Sequence, residues 1–366
     1  MSSNAVSPSS SVPVERVRRD SDKVWIEGVE GFHPGQFASS VHGVQARICQ
    51  AVADGPSYEQ LICYGGLAFR VEVHEAMCPS AGHPCCGYMC IENSNRAMPW
   101  KARVFDAFPG SKDEQGRAAF EREAVAAIRQ SIDRGIPVHY GSEEDGLIIG
   151  YADEGRRWWC VHPYHEGGRE TFWHDEILGF AGGNWPWGIA VWTQPKSDDE
   201  RVSVRELTMA ALRQAVDMWH TEKRDKYYVG EAAYAYWLKW LSDVDPGRIA
   251  DPKAGMQGNG WCYDTLIHYR QHAAEWLKQT ADDFDGDARQ ELLIAADHFE
   301  QIAAVCTKGL NSPWDLALRP DRFDEWTSAM RADQITRLTA ARDHDRAAIA
   351  AIKKALTAGG ADTFGE

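Results

Sequence analysis

The chain has 366 residues, enough for two domains that each bury a hydrophobic core of their own. Its formal net charge of −15 argues against a nucleic-acid partner, because binding to phosphate backbones requires clustered Lys and Arg. No run approaches the roughly 20 apolar residues of a membrane helix, and nine cysteines are too sparse for a disulfide scaffold, so we expect a cytoplasmic protein with reduced thiols and no membrane partner.

The first part of the chain has a mixed pattern. Residues 1–20 are rich in Ser and Pro, which predicts a disordered leader. Within residues 21–196, helical spacing is found over residues 39–53 and in a later amphipathic segment that ends near Gly135. Short aromatic and β-branched runs follow between turn residues: IPVHY, GLIIGYAD, RRWWCVHP and WGIAVWT. Helices followed by strands predict an α+β domain with an antiparallel meander.

The pattern changes at residues 194–203, a polar segment that we interpret as a linker. Ser203 and Glu206 have the spacing of a capping box, and apolar residues then repeat at helical intervals. Further helical patterns continue, and none of the intervening segments indicates a strand. The sequence therefore predicts an all-α domain over residues 203–357.

Two serines lie at the predicted start of the first helix. Serine is a preferred N-cap, so Ser39 or Ser40 has an ordinary structural explanation. A helix N-terminus also carries free N–H groups and a partial positive charge, which stabilise an oxyanion and suit a nucleophile. This position is therefore a candidate for chemistry.

The order of four segments resembles the papain-like family typified by butirosin biosynthesis protein H, which is related to bacteriocin-processing cysteine peptidases. These segments are SSVHGVQARICQAVADG, SYEQLICYGGLAFR, EAVAAIRQSIDRGIPV and GLIIGYADEG. Two later segments, YYVGEAAYAYWLKWL and GWCYDTLIHYRQHAAEWL, are similar to the helical C-terminal partner of such proteins. The resemblance covers residues 24 to about 310. It implies a papain-like cysteine-peptidase-type α+β domain followed by an all-α domain.

The resemblance places the family's nucleophilic cysteine on Ser40, with Ser39 as the alternative one residue away. A serine hydroxyl needs a base within hydrogen-bonding reach, whereas a thiol is already partly ionised at neutral pH. The resemblance also implies Gln36 as an oxyanion-hole amide, although it precedes Ser40 by four residues and the family spacing is nearer six. Gln36 and Ser39 are thus predicted to contact substrate.

The family's other catalytic positions are also substituted here. Its histidine base falls closest to Glu144, and its Asp-Pro step is replaced by His162 and the following proline. Glu144, His162 and His139 are therefore the candidate acid, base and orienting groups, in changed order. Trp185 and Trp187, between glycines and a proline, are candidates for lining a ligand pocket.

A cysteine-rich segment, MCPSAGHPCCGYMC, begins at Met77. It holds five potential soft ligands, which are Cys78, His83, Cys85, Cys86 and Cys90. The spacing fits no standard pair of metal-binding cysteines, and reduced cysteines are commonly small buried hydrophobes. We therefore predict no metal and no cofactor, and keep a metal-dependent hydrolase as an alternative.

The resemblance implies acyl-transfer chemistry, the formation or cleavage of an amide in specialised metabolism. The expected partners are a small-molecule amine and an acyl donor, which an acyl carrier protein could present, and a homodimer is compatible with the sequence. A catalytically silent binding or scaffold protein on the same fold is the other alternative. The substitution at Ser40 is open to three explanations: a natural serine enzyme, a degenerate site or an engineered replacement of cysteine.

Overall fold

A computed structural model describes residues 16–106, 114–141, 144–168, 172–174, 188–243 and 252–359. The chain divides into two compact units. The sheet unit comprises Met1–Tyr58 and Met98–Arg201, and the helical unit comprises Glu59–Ala97 and Val202–Glu366. In the described ranges, no helix combines the length and apolar character needed to cross a membrane.

Antiparallel strands and α-helices together form an α+β protein. The strands are β1 (Val17–Asp20), β2 (Lys23–Ile26), β3 (Glu72–His74), β4 (Trp100–Asp106), β5 (Val138–Gly141), β6 (Gly146–Ala152), β7 (Arg157–Val161), β8 (Phe172–His174), β9 (Gly188–Pro195), β10 (Lys223–Arg224) and β11 (Tyr227–Val229). The helices are α1 (Ser40–Val52), α2 (Tyr58–Tyr64), α3 (Glu92–Ala97), α4 (Glu114–Asp133), α5 (Val204–His220), α6 (Gly230–Asp243), α7 (Pro252–Thr280), α8 (Gly286–Thr307) and α9 (Ser328–Ala358).

Strand β6 is the centre of the large sheet. One edge of β6 pairs with β7 along its length, while β5 and β2 share the other edge. The remaining strands extend the order to β1-β2-β6-β5-β9-β4, with β8 beside β7. All seven residues of β6 are buried, and Gly150 is required there because a Cβ would lie 2.7 Å from the Val24 carbonyl oxygen.

The core of the sheet unit lies between this sheet and α4. Ala124, Ile128 and Ile132 recur at helical spacing and form one buried cluster with side chains from the strands. The helix ends near Gly135, whose φ of +80° suits glycine. The sequence-based predictions of this helix, of α1 and of strands β5, β6, β7 and β9 are confirmed.

Three details of the predicted organisation are wrong. Residues 59–97 belong to the helical unit, although the sequence predicted one domain boundary, after residue 196. The region 203–357 is not all-helical, because β10 and β11 form a hairpin that pairs with β3. Asp225 adopts a φ of +50° in the turn, and the strands of two and three residues are too short for a recognisable period. The sheet is also not a simple meander, since β9 pairs with β5.

A buried ion pair joins two long helices of the helical unit. Arg270 on α7 and Asp345 on α9 form a bidentate pair, with N–O distances of 2.8 and 2.9 Å. Both side chains are 1% exposed. The hydroxyl of Tyr234 also donates to Asp345, at 2.6 Å, so this carboxylate is fully partnered within the protein.

Candidate functional site

Helix α1 places Ser40 at its first position. Ser39 precedes it in an extended conformation, and the first intrahelical hydrogen bond runs from the Gly43 N–H to the Ser39 carbonyl at 2.9 Å. The backbone N–H groups of residues 40–42 therefore come before the first intrahelical hydrogen bond. The partial positive charge of the helix N-terminus lies beside the Ser40 side chain. This is the placement that the sequence predicted for the nucleophile position.

The hydroxyl of Ser40 is held between two consecutive residues. It donates a hydrogen bond to Glu144 Oε2 at 2.5 Å and accepts one from the Asp145 N–H at 3.1 Å. Glu144 and Asp145 immediately precede β6, whose N-terminal end is thereby aligned with the start of α1. A serine oxygen has two lone pairs, so one remains for chemistry after both hydrogen bonds are made.

Asp145 was not among the predicted site residues. Its side chain is 8% exposed and accepts a hydrogen bond from His139 Nε2 at 2.6 Å. His139 lies on β5, which pairs directly with β6, and the two strands explain why imidazole and carboxylate meet. The position of Asp145 directly after Glu144 was the signal that sequence reasoning could have used.

The predicted residue His162 contacts the same segment from the other side. The Tyr164 N–H donates to its Nδ1 atom at 3.3 Å, which favours the neutral tautomer with the proton on Nε2. Burial lowers the pKa of His162, while a hydrogen bond with the Glu144 backbone and the charge of Asp145 act in the opposite direction. His162 therefore supports the Glu144 segment as a neutral imidazole.

Four further residues were predicted to contact substrate: Gln36, Ser39, Trp185 and Trp187. Ser39 is 2% exposed and its Oγ atom lies 2.8 Å from His42 Nδ1, so its hydroxyl faces the interior. Ser39 occupies the N-cap position, but its side chain makes no capping hydrogen bond, so the ordinary capping explanation does not apply to its hydroxyl. Gln36 is exposed, and its side-chain oxygen accepts a hydrogen bond from Arg47 Nη2 at 3.4 Å. Trp185 and Trp187 lie outside the described residues.

The arrangement brings together Ser40, two carboxylates and two imidazoles within the sheet unit. Glu144 is the group in contact with the serine proton, and a carboxylate at this distance is placed to accept it. The His139–Asp145 pair is connected to Ser40 through the Asp145 amide rather than through its carboxylate. The order is therefore serine–glutamate, with a histidine–aspartate pair alongside, and not serine–histidine–aspartate.

The cysteine-rich segment belongs to the helical unit. Among the residues that the structure describes, no three His, Cys, Asp or Glu side chains are grouped so that they could hold a metal ion. Cys90 is buried, whereas Cys85 is exposed, which separates two of the predicted ligands. Nothing in this geometry favours the metal-dependent alternative.

Comparison of the sequence with protein-family models finds no match, and comparison with curated proteins likewise finds none. The geometry around Ser40 is therefore the basis on which a function is argued.

Proposed function

We propose that the chain is an acyl-transfer enzyme of papain-like fold in which Ser40 is the nucleophile and Glu144 the base. The 2.5 Å hydrogen bond from the Ser40 hydroxyl to Glu144 Oε2 carries the proposal. It satisfies the requirement that a serine nucleophile have a base in direct contact. The location of Ser40 at the first position of α1 adds a source of oxyanion stabilisation.

The reaction would proceed through a covalent acyl-enzyme. Glu144 accepts the Ser40 proton while Oγ forms a bond to the acyl carbonyl carbon, and the carbonyl oxygen becomes an oxyanion near the first amides of α1. The C–O or C–S bond to the leaving group then breaks, and the leaving group takes the proton from Glu144. A small amine attacks the ester in the same manner, forms the amide and regenerates Ser40.

The choice of base favours activated acyl donors. A carboxylate is a weaker base than an imidazole. Transfer of the serine proton to Glu144 therefore costs more free energy than transfer to a histidine base would. Esters and thioesters react with weaker nucleophiles than amides do. We therefore propose amide formation from a thioester or ester, with an acyl carrier protein as one donor and a small amine as acceptor, in the cytoplasm.

One observation favours a second candidate, a catalytically silent binding protein on the same fold. Ser40 is only 4% exposed, so an acyl donor must displace part of its surroundings before the oxygen can attack. In this alternative the Ser40–Glu144 hydrogen bond only stabilises the junction between α1 and β6. The two candidates differ in whether Ser40 reacts.

Labelling with a fluorophosphonate probe distinguishes them, because such probes bond covalently to activated serines. We expect labelling of the wild-type protein at Ser40, located by peptide mapping, and none at this site in Ser40→Ala. Glu144→Gln should reduce the rate about 100-fold or more, as expected for loss of a general base. Ser39→Ala is the matched control, since its hydroxyl contacts His42 instead, and it should keep labelling at Ser40. No labelling of Ser40 in the wild-type protein would favour the silent alternative.

A further inference from the structure

The helical unit contains an open cavity of about 440 Å³. This volume falls in the range of about 300–1,000 Å³ that is typical of small-molecule sites. Side chains from the segment before α3, from α3 itself, from α5 and from β10 line it, and they include Tyr88, Met89, Glu92, Asn93, Gln214 and Arg224. Polar groups from four parts of one unit therefore converge on one cavity.

Two opposite charges line this cavity without neutralising each other. The Arg224 guanidinium lies over the Tyr88 ring, with its Cζ atom 5.6 Å from the ring centroid, so an aromatic face positions it. In the ranges that the structure describes, neither this guanidinium nor the Glu92 carboxylate forms a side-chain hydrogen bond or an ion pair. Both charges are therefore available to a ligand.

Two carboxamides of the cavity wall are held by hydrogen bonds within the protein. Asn93 Nδ2 donates to Gln214 Oε1 at 3.2 Å, and Gln214 Nε2 donates to the Met89 carbonyl at 3.2 Å. Asn93 Oδ1 accepts a hydrogen bond from Arg96 Nη1 at 3.0 Å, which fixes the orientation of this amide. Since Asn93 Nδ2 carries two hydrogens, one donor is left for a ligand after the bond to Gln214 is made.

The tyrosine that supports the guanidinium is fixed at its backbone and at its side chain. The Tyr88 N–H donates to the buried Glu72 Oε2 at 2.7 Å, and the Tyr88 carbonyl accepts from the buried Arg70 Nη1 at 2.9 Å. The Tyr88 hydroxyl donates to Asp217. Gly87, with a φ of +60°, permits this approach, because a Cβ there would lie 2.4 Å from both Glu72 oxygens. The cavity is therefore preformed.

We propose that this cavity binds a small zwitterion of the α-amino acid class, with the ligand carboxylate on Arg224 and the ligand ammonium on Glu92. A guanidinium presents paired donors that match a carboxylate. A purely anionic ligand would be repelled by Glu92 and a purely cationic one by Arg224, whereas a zwitterion satisfies both. The exposed Met89 side chain supplies an apolar contact for the carbon skeleton. The proposal uses no residue of the Ser40 site and does not depend on its chemistry.

The test is a thermal-shift screen of the full-length protein against the common L-amino acids, followed by calorimetric titration of those that raise the unfolding midpoint. We expect at least one to bind with a Kd of about 1 mM or below. Arg224→Gln and Glu92→Gln should each weaken this binding about tenfold or more, through loss of a charge-assisted contact. Arg213→Gln and Glu222→Gln are the matched controls, since these exposed charges do not line the cavity, and they should bind as the wild type does.

Derivatives of the amino acid that binds best provide a second measurement that needs no variant. Its primary amide lacks the carboxylate and its N-acetyl form lacks the ammonium, so each should bind about tenfold or more weakly than the parent. A derivative that binds as tightly as the parent would overturn the assignment of a zwitterion. The proposal would also be overturned if no amino acid bound, or if Arg224→Gln or Glu92→Gln retained wild-type affinity.

Discussion

The contact between Ser40 and Glu144 predicts an unusual response to a substitution that would otherwise activate the site. Ser40→Cys places a thiol at a helix N-terminus, which by itself stabilises a thiolate by about 0.3–1 kcal/mol. In this protein the thiol also faces Glu144, whose Oε2 atom lies 2.5 Å from the serine oxygen. We expect the carboxylate to dominate and to raise the pKa of the new thiol.

The magnitude follows from the distance. A sulfur about 3.3 Å from a carboxylate oxygen would meet a repulsion of about 5 kcal/mol at an effective dielectric constant of about 20. Because Glu144 is half-buried, we reduce this to about 2.5 kcal/mol, which corresponds to about 2 pKa units. A less basic thiolate is also a weaker nucleophile, so at pH 7 removal of the charge should accelerate alkylation only about tenfold.

The assay compares iodoacetamide modification at position 40 in Ser40→Cys and in the double variant Ser40→Cys/Glu144→Gln. Peptide mapping separates this position from the nine native cysteines. Both variants place the same side chain at the same depth, so the ratio of their rates reports the charge of Glu144. Equal rates would refute the reasoning, because they would mean that no carboxylate charge faces position 40.

Three further predictions concern stability, each measured by urea unfolding. Asp345→Ala should lower the free energy of unfolding by about 3–5 kcal/mol, because it leaves the buried Arg270 guanidinium without its charge partner, whereas Lys239→Ala in an exposed ion pair should have no measurable effect. Burial, and secondarily a neighbouring histidine, lowers the pKa of His268 to about 3. The neutral His268 therefore costs no stability above pH 6.5, and as the pH falls the free energy of unfolding should decrease, by about 3 kcal/mol at pH 4. The same pH dependence in His268→Gln would contradict this. Gly150→Ala should cost about 1–3 kcal/mol because its Cβ would contact the neighbouring strand backbone, and wild-type stability would disprove that close approach.

The sequence was most informative where local patterns determine local structure. The start of α1 at its two serines, the unbroken buried run of β6 and the Ser203 cap of α5 are each specified by a few consecutive residues. The hairpin of β10 and β11 escaped prediction because it depends on pairing with β3, about 150 residues earlier in the chain. Short strands of this kind are stabilised by pairing with a neighbouring strand rather than by an alternating residue pattern of their own.

The candidate site was predictable only in part for the same reason. Glu144, His162 and His139 were the groups predicted around Ser40, and the structure links Ser40 directly to Glu144 and, through Asp145, to His139. The sequence could not show that Asp145, not Ser40, is the partner of His139, since this depends on the register of β5 against β6. Nor could it distinguish the inward-facing Ser39 from Ser40, because adjacent serines at a helix start have equivalent local patterns.

The most direct test of the proposed chemistry is rapid-quench mass spectrometry after mixing the protein with a small acyl thioester of N-acetylcysteamine. The proposal predicts one acyl group per chain, attached to Ser40, which disappears when a primary amine is added and which does not form in Ser40→Ala. An unmodified Ser40, under conditions in which the fold is intact and the thioester is in excess, would contradict the assignment of this residue as the nucleophile.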